Sequence, residues 1–350
     1  MGNGGAERVI MRLYNYLRKE NHDVTIVSAT KKGILSNIGN IDIHYLGSKY
    51  ALLSAIKFKK YLKRKKPDIV LSTLSSAIIV AGITRLLTIK KSYVLVMRIA
   101  NIVRFDQSNF FRILLESFAL SICDGVIANS KATHKSIKKI LPMKFQIKPT
   151  MIISNPVLDD NFELKLNQSK RINRTEKQVI FIGRFTPQKQ VKHAIKAFKI
   201  IKDRIDNVSM LIIGDGCEKK EIIRFIHEQD LSGEVSIQHY CDDIPSLLMA
   251  ADCLINTSKY EGFGNIFIEG LAYCDNLVCY RSPGGASELL RETSASLADQ
   301  GDIEGLANLV IKKLLENKIR SKDIRFLSNF SESHVCAIYE NFLIKIRESR

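Results

Sequence analysis

Short apolar segments alternate with amphipathic segments along almost the whole chain, and this alternation limits the possible folds more than any other feature. Segments such as DIVLST (68–73), SYVLVMRI (92–99) and VSMLIIG (208–214) are apolar along their length, as strands covered on both faces are. Each is followed by a segment with helical periodicity. The pattern predicts an α/β fold with parallel sheets, because helices must connect successive strands of such a sheet.

The alternation is interrupted once, and the interruption divides the chain into two domains. TMIISNPV (150–157) ends in an Asn-Pro step, and the residues that follow it are polar and irregular. The pattern restarts at VIFIG (179–183) and continues for a similar length. We expect domains over residues 1–156 and 157–330, and a final helix within 331–350.

The segment SKYEGFGNIFIEGLA carries the strongest chemical signal. Gly262 and Gly264 allow the backbone to approach a ligand closely. Asn265 is a suitable N-cap for the helix that follows. Because the N-terminus of a helix favours an anion, this turn predicts a phosphate site. A glycine turn with an exposed Glu and a capping Asn is the alternative interpretation.

Charged side chains accompany this turn. Glu261 lies in the turn and Glu269 follows on the same face of the helix, and carboxylates are good acceptors for sugar hydroxyls. GRFTPQK leaves another strand at its C-terminal end, where open α/β sheets bind ligands. Arg184 and Lys189 would there neutralise a diphosphate, although such a pair in a loop is often only solvated.

Two further glycine turns complete the pattern. Gly214 and Gly216 follow a strand, and Gly4 and Gly5 precede a helix. Each turn is a weak signal by itself. Four glycine-bearing turns spread over two domains predict a ligand that is held in the cleft between them.

In this order, the motifs resemble those of the GT4-type retaining glycosyltransferases, the glycosyl transferases group 1, which have the GT-B fold. GGAERV, SNPV, GRFTPQK, GDG and SPGGASELL match over essentially the whole chain, and EGFGNIFIE fits the E-x7-E pattern of the family. The resemblance implies two Rossmann-like βα domains facing across a cleft. The N-terminal domain would hold the acceptor, the C-terminal domain would bind the nucleotide-sugar, and the final helix would pack back on the N-terminal domain.

The resemblance also implies the reaction. A sugar would move, with retention, from a nucleoside diphosphate sugar, which we expect to be a UDP-sugar, to a hydroxyl of a glycan or polyprenyl-linked acceptor in bacterial polysaccharide or glycolipid synthesis. Arg184 and Lys189 would hold the diphosphate, Glu269 the ribose and Glu261 the donor sugar. Three successive residues would offer backbone N–H groups to the donor, namely Phe263, Gly264 and Asn265. We expect no metal and no other cofactor.

The first domain departs from the family pattern. Many relatives carry a His near the reacting sugar, whereas this strand ends in MRIANI, which leaves Arg98 and Asn101 as candidates on the acceptor side. An oxygen of the departing phosphate could then take the proton of the attacking hydroxyl. In the second domain, His239 stands where relatives usually carry Gly.

The excess positive charge is confined to the first half. Residues 1–175 hold 30 Lys/Arg and 11 Asp/Glu, a net charge of +19, and the remainder has a net charge of −2. Such a half-chain should face an anionic partner, and we expect an anionic membrane surface. The candidate contacts are Lys59, Lys60, Lys63 and Arg64, and the candidates for insertion are Phe105, Phe110 and Phe111. A solvated helix face is the alternative for the basic run.

The scattered cysteines, which form no CxxC pair, fit a reducing compartment, and we expect a cytoplasmic protein on the inner face of the plasma membrane. A nucleic-acid binder stays an alternative, although the chain has no recognisable binding motif and no Trp. The other alternative is a nucleotide-sugar hydrolase or epimerase of the same fold. It would need a well-placed carboxylate or His in the first domain.

The N-terminus differs from the family in one more respect. In the family a central strand leads into the GGAER turn, and here Met1 stands where that strand should end. Its neighbours, HDVTIV and DIVLS, would be left with unpaired backbone groups at about 1–3 kcal/mol each. We therefore expect the first β-strand to be missing and the natural protein to be longer by roughly ten residues.

Overall fold

The structure is a computed structural model. It describes residues 5–29, 41–48, 50–88, 92–101, 110–140, 148–168, 176–241, 243–291, 293–316 and 322–349. Two of the predicted positions, Gly4 and Phe105, lie outside the described residues, and of Phe110 only the backbone is described. The chain forms two compact units, unit 1 (1–156 and 330–350) and unit 2 (157–329).

Helices and strands alternate in both units. In chain order they are α1 (Gly5–Lys19), β1 (Ile26–Ser28), β2 (Ile43–Tyr45), α2 (Ala51–Lys65), β3 (Ile69–Thr73), α3 (Ser75–Leu86), β4 (Val94–Ile99), α4 (Phe110–Ile122), β5 (Gly125–Ala128), α5 (Lys131–Ile140), β6 (Thr150–Ile152), α6 (Phe162–Gln168), β7 (Lys177–Ile182), α7 (Val191–Lys202), β8 (Val208–Ile213), α8 (Lys219–Glu228), β9 (Val235–Gln238), α9 (Ile244–Ala250), β10 (Cys253–Asn256), α10 (Asn265–Tyr273), β11 (Leu277–Tyr280), α11 (Gly285–Leu290), β12 (Ser296–Ala298), α12 (Ile303–Glu316), α13 (Ile324–Ser328) and α14 (Glu332–Glu348). Within the described part of the chain, no helix combines the length and the apolar character that a membrane crossing needs.

Unit 1 is built on a parallel sheet with the strand order β3-β4-β5-β6. All six residues of β4 are buried, because helices cover both faces of the sheet. Leu95 and Met97 point towards a core shared with α2, α3 and α4. Val94 and Val96 point to the opposite core, which α1 and α14 close. The final helix α14 thus belongs to the packing of unit 1.

A second, parallel pair of strands, β1 and β2, also lies in unit 1. Among the described residues, β1 pairs only with β2, and β3 pairs only with β4. The sequence predicts HDVTIV (22–27) and DIVLS (68–72) to flank a missing strand; β1 includes only the last two residues of the first segment, and β3 includes all of the second except Asp68. The expectation of a longer natural N-terminus stays a prediction.

Unit 2 contains a six-stranded parallel sheet with the order β12-β11-β10-β7-β8-β9. Residues of β7 and β10 at its centre are completely buried, and α7 and α12 supply much of the core on one face. The predicted alternation of strands and helices is therefore confirmed in both units. Four short elements were not predicted, namely β6, α6, β12 and α13, because segments of three to seven residues show too little periodicity.

A close contact between α3 and α4 gives the first testable prediction. A Cβ atom added at Gly82 would lie 2.5 Å from the Cβ of Ala119, so Gly82→Ala should force the two helices apart. We expect it to lower the free energy of unfolding by about 1–3 kcal/mol, measured by urea denaturation. Gly233→Ala is the control, because nothing lies within 4 Å of its Cβ position. Equal stability of the two variants would contradict this packing.

Candidate active site

Four loops of unit 2 follow the strands β7, β8, β10 and β11. These strands are neighbours in one parallel sheet, so their carboxyl ends meet at the same edge. Ligands bind at this edge in open α/β sheets. The loops contain the GRFTPQK, GDG, EGFG and SPGG motifs, and the structure therefore brings the predicted C-terminal motifs together.

The loops after β7 and β8 are in direct backbone contact. The N–H of Phe185 donates to the carbonyl of Asp215 at 2.8 Å. A Cβ at Gly214 would lie 1.9 Å from the carbonyl oxygen of Gly183, and one at Gly216 would lie 2.4 Å from that of Phe185. Both positions thus require glycine because another backbone passes close by. The GDG motif supports the GRFTPQK loop through this contact.

The loop after β10 is joined to the loop after β7 by an ion pair. Lys189 Nζ donates to Glu261 Oε1, and the two side chains are only 13% and 9% exposed. Gln188 Nε2 donates to the carbonyl of Tyr260 at 2.9 Å, and the N–H of Lys259 donates to the carbonyl of Gln188 at 2.8 Å. The predicted phosphate-binding Lys189 and the predicted sugar-binding Glu261 are therefore partners of each other.

Glu261 is held from two other directions. The buried Ser258 donates its hydroxyl to Glu261 Oε1 at 2.7 Å. In the loop after β11, the N–H of Gly285 donates to the carbonyl of Glu261 at 3.0 Å, and the N–H of Glu261 donates to the carbonyl of Pro283 at 3.1 Å. Ser282 donates its hydroxyl to the carbonyl of Ser258. Glu261 consequently has a defined position between three loops.

The turn after Glu261 leads directly into α10. Gly264 has a φ of +86°, and a Cβ there would lie 2.4 Å from the ring of Phe267, so the turn requires glycine at this position. The prediction that Asn265 caps the helix is wrong by one residue: Gly264 is the N-cap, and Asn265 is the first helical residue. Glu269 lies one turn further and is buried.

The two residues before this N-cap are buried in the turn. Gly262 is buried, and Phe263 is only 6% exposed. The sequence predicts that Phe263 contributes to donor binding, and its burial shows that the ring is part of the packing of unit 2 and not an exposed surface for a ligand. Any contact of Phe263 with the donor is thus restricted to its backbone, and this backbone role stays a prediction.

Arg184 differs from the other predicted cation of this site. It is exposed, and no carboxylate of the described residues pairs with its guanidinium. Lys189 is instead neutralised by Glu261. The sequence predicts the same diphosphate-binding role for Arg184 and Lys189. In the structure, Arg184 is exposed to solvent and Lys189 is paired with a carboxylate.

An exposed polar cluster follows β8 and β9. His239 Nδ1 lies 3.1 Å from a carboxylate oxygen of Asp215, and Lys219 Nζ lies 3.4 Å from the same oxygen. The pKa of Asp215 is lowered, first by a hydrogen bond from the N–H of Gly216 and then by Lys219 and His239. His239 thus stands beside the GDG turn.

Hydroxyl groups near the strand ends were not predicted as site residues. Thr257 donates to the carbonyls of Lys189 and Gln190, both at 2.9 Å, and Ser258 and Ser282 act as described above. Thr257 and Ser258 are the first two residues after the buried strand β10, and Ser282 is the second residue after the buried strand β11. The position of small hydroxyl residues at successive strand ends is the signal that could have identified them.

In unit 1, Arg98 is completely buried at the end of β4. Its guanidinium donates to Tyr339 Oη at 2.8 Å, to Asn155 Oδ1 at 2.6 Å and to Thr73 Oγ1 at 3.2 Å. Burial raises the pKa of Tyr339, so its hydroxyl stays protonated while it accepts this bond. Arg98 therefore links β4 to β3, to the segment before Pro156 and to α14. An acceptor-side role for Arg98 stays a prediction.

The remaining predicted positions in unit 1 are placed separately. Asn101 is exposed just after β4, and Gly5 begins α1. Lys59, Lys60, Lys63 and Arg64 are exposed on α2, and Phe111 is exposed on α4. Among the described residues, no group of three or more His, Cys, Asp or Glu side chains is placed to hold a metal ion.

Comparison with known proteins gives matches over both units. The family model of the glycosyl transferases group 1 matches residues 163–326, and that of glycosyltransferase family 4 matches residues 3–160. The chain is 22% identical over 340 residues to the amylovoran biosynthesis glycosyltransferase AmsD of Erwinia amylovora, and the match covers 94% of this chain and 90% of that protein.

A second relative is the N-acetylgalactosamine-N,N'-diacetylbacillosaminyl-diphospho-undecaprenol 4-alpha-N-acetylgalactosaminyltransferase of Campylobacter jejuni. It is 25% identical over 334 residues, which cover 91% of this chain and 88% of the relative. Among solved structures, Anabaena HepE in complex with UDP and glucose has a TM-score of 0.74 at 18% identity, and the match covers 99% of this chain and 94% of that one. At this identity the likeness concerns the fold.

The buried ion pair gives the second testable prediction. Lys189→Met leaves the carboxylate of Glu261 without its cation in a nearly buried position, and we expect it to lower the free energy of unfolding by about 3 kcal/mol. Lys192→Met is the matched control, because Lys192 and Glu221 form a pair whose side chains are 40% and 54% exposed. We expect a much smaller loss for the control, because water screens the charges of an exposed pair. Urea denaturation followed by circular dichroism measures both, and equal losses would refute a structural role for the buried pair.

Proposed function

Because this chain belongs to the glycosyl transferases group 1 family and is a glycosyltransferase with the GT-B fold, we propose that it transfers a sugar, with retention, from a UDP-sugar to a hydroxyl group. The acceptor is a glycan or a lipid-linked saccharide, and the product belongs to a bacterial polysaccharide or glycolipid. One observation carries the proposal: the four loops of unit 2 meet at the carboxyl edge of one sheet, with Arg184 exposed there.

The donor diphosphate is the group that this edge suits. A departing nucleoside diphosphate gains negative charge, so groups that stabilise it must already be in place. Arg184 supplies an accessible positive charge, and α10 directs the positive end of its dipole to the same edge. Lys189 adds a second cation, which is paired with Glu261.

Glu261 and Glu269 have different tasks in this proposal. Glu261 is held by Lys189 and Ser258 and accepts hydrogen bonds from hydroxyls of the donor sugar. Glu269 lies one turn into α10 and accepts from the ribose hydroxyls. The acceptor hydroxyl attacks on the face of the departing phosphate, and a phosphate oxygen takes its proton. No strongly basic side chain is then needed, and Arg98 has its hydrogen-bonding nitrogens occupied within unit 1.

The names of similar proteins support the donor and the acceptor. Anabaena HepE is in complex with UDP and glucose, which supports UDP as the nucleotide. The Campylobacter enzyme acts on a diphospho-undecaprenol saccharide, which supports a lipid-linked acceptor. An enzyme that uses such an acceptor would work at the cytoplasmic face of the plasma membrane without crossing it.

The third prediction tests the donor site. Arg184→Ala removes the accessible cation, and we expect turnover with the UDP-sugar to fall about a hundredfold. Glu269→Ala should weaken the binding of UDP, measured by isothermal titration calorimetry. Arg224→Ala is the control, because Arg224 is an exposed arginine on α8 that pairs with Glu228. Full activity of Arg184→Ala would show that the diphosphate assignment is wrong.

A further inference from the structure

One exposed imidazole lies at the ligand-binding edge of unit 2 and has no role in the transfer described above. His239 is the first residue after β9, at the position where relatives usually carry Gly. It does not belong to the residues with a positive φ, so the backbone at this position does not require glycine. The imidazole is therefore an added group at this edge, and the turn bears it without strain.

The ring of His239 has a defined orientation. Lys219 Nζ lies 3.2 Å from Nε2 of the ring, and because an ammonium group only donates hydrogen bonds, Nε2 is the acceptor. The proton of the neutral ring is then on Nδ1, which lies 3.1 Å from Asp215 Oδ2. Both ring nitrogens thus face charged side chains of unit 2, and neither is left for a ligand.

The two side chains that orient the ring are themselves held. Asp215 Oδ1 accepts from the N–H of Gly216 at 2.7 Å, and Lys219 Nζ lies 3.4 Å from Asp215 Oδ2. The side chain of Lys219 is only 29% exposed, and its N–H donates to the carbonyl of Gly216 at 3.2 Å. The GDG turn and the start of α8 therefore support the imidazole together.

The faces of the ring are the part of His239 that remains open. Its side chain is 76% exposed, whereas the rings of Phe185 and Phe263 are buried and those of Tyr240 and Tyr260 are half-buried. A phosphate or a sugar hydroxyl would need a free ring nitrogen or its proton. A nucleobase needs only the face of an aromatic ring, on which it stacks. The open group of His239 therefore suits a nucleobase.

The position of His239 on the sheet suits the same ligand group. The strand order is β10-β7-β8-β9, and the proposed diphosphate site lies at Arg184 after β7 and at the start of α10 after β10. Neighbouring strands are about 4.8 Å apart, so β9 ends roughly 10 Å from β7. The ribose separates the base from the phosphates by a comparable distance. Because Glu261 takes the donor sugar on the side of β10 and β11, the nucleoside extends towards β8 and β9.

We propose that His239 binds the nucleobase of the donor by stacking one face of its imidazole on the base, in the orientation that Lys219 and Asp215 impose. The inference rests on the proposed function, which supplies a nucleoside diphosphate, and deepens it by assigning a side chain of this chain to the base. Stacking uses the π-face that every base has, so the contact contributes affinity for the nucleoside and does not select uracil by itself.

Isothermal titration calorimetry with the full chain tests the inference. His239→Ala removes the ring, and His239→Phe keeps a flat ring that has no nitrogen. His227→Ala is the matched control, because His227 is an exposed imidazole that contacts Ser232 near the opposite end of α8 from Lys219. Each protein is titrated with UDP and with inorganic pyrophosphate, which has no base.

We expect His239→Ala to weaken the binding of UDP about tenfold and to leave the binding of pyrophosphate unchanged. His239→Phe and the control should bind both ligands like wild type. In the NMR spectrum of bound UDP, the stacked ring should shift the uracil H5 and H6 signals upfield in wild type and in His239→Phe, and the shift should be absent in His239→Ala. The inference is overturned if His239→Ala binds UDP like wild type, if its binding of pyrophosphate falls equally, or if His239→Phe is as weak as His239→Ala.

Nucleoside diphosphates with other bases separate this result from the proposed function. If wild type binds ADP or GDP and not UDP, and His239→Ala weakens that binding, the UDP-sugar of the proposed function is wrong while the stacking contact stands. If wild type transfers sugar from a UDP-sugar and His239→Ala has the same KM for it, the stacking contact fails alone. If wild type binds no nucleoside diphosphate, both are overturned.

Discussion

The carboxylate of Glu261 is the group on which the arrangement of unit 2 depends most. A carboxylate with so little exposure must be paired and hydrogen-bonded, and Lys189 and Ser258 meet this requirement. The backbone of Glu261 bonds at the same time to Pro283 and Gly285. One buried charge therefore connects the loops after β7, β10 and β11. The loop after β8 joins them through the hydrogen bond between Phe185 and Asp215, so these contacts connect all four loops of the edge.

Most of the fold follows from the sequence because the two units repeat one simple pattern. Long apolar strands such as β4 and β8 must be covered on both faces, and the helices between them show a clear period. The segments predicted as strands over 92–99 and 208–214 contain β4 and β8. The pattern fails for β6, whose three residues are all exposed at the edge of the sheet. Edge strands depend on a neighbouring strand more than on their own composition, and a single sequence does not reveal that neighbour.

The sequence indicates which residues belong to the candidate site, but it does not indicate which of them pair with each other. The motifs name Arg184, Lys189, Glu261 and Glu269, yet nothing in them indicates that Lys189 and Glu261 neutralise each other, because 72 residues separate them in the chain. The sequence likewise does not indicate that Arg98 is buried, because its partner Tyr339 lies 241 residues away in the chain. Such long-range pairs arise only when the sheet brings strand ends together. Spacing within a motif can indicate a helix face or a turn, and it carries no information about a contact made by another loop.

The structure also shows how the positive charge differs between the two halves of the chain. In unit 2, basic residues are matched by acids in pairs such as Lys189 with Glu261 and Lys192 with Glu221, which suits a half-chain with almost no net charge. On α2, by contrast, no carboxylate of the described residues pairs with Lys59 or Lys60. Like charges held together repel one another and oppose folding. A surface that keeps such an excess is therefore stabilised when it meets an anionic partner.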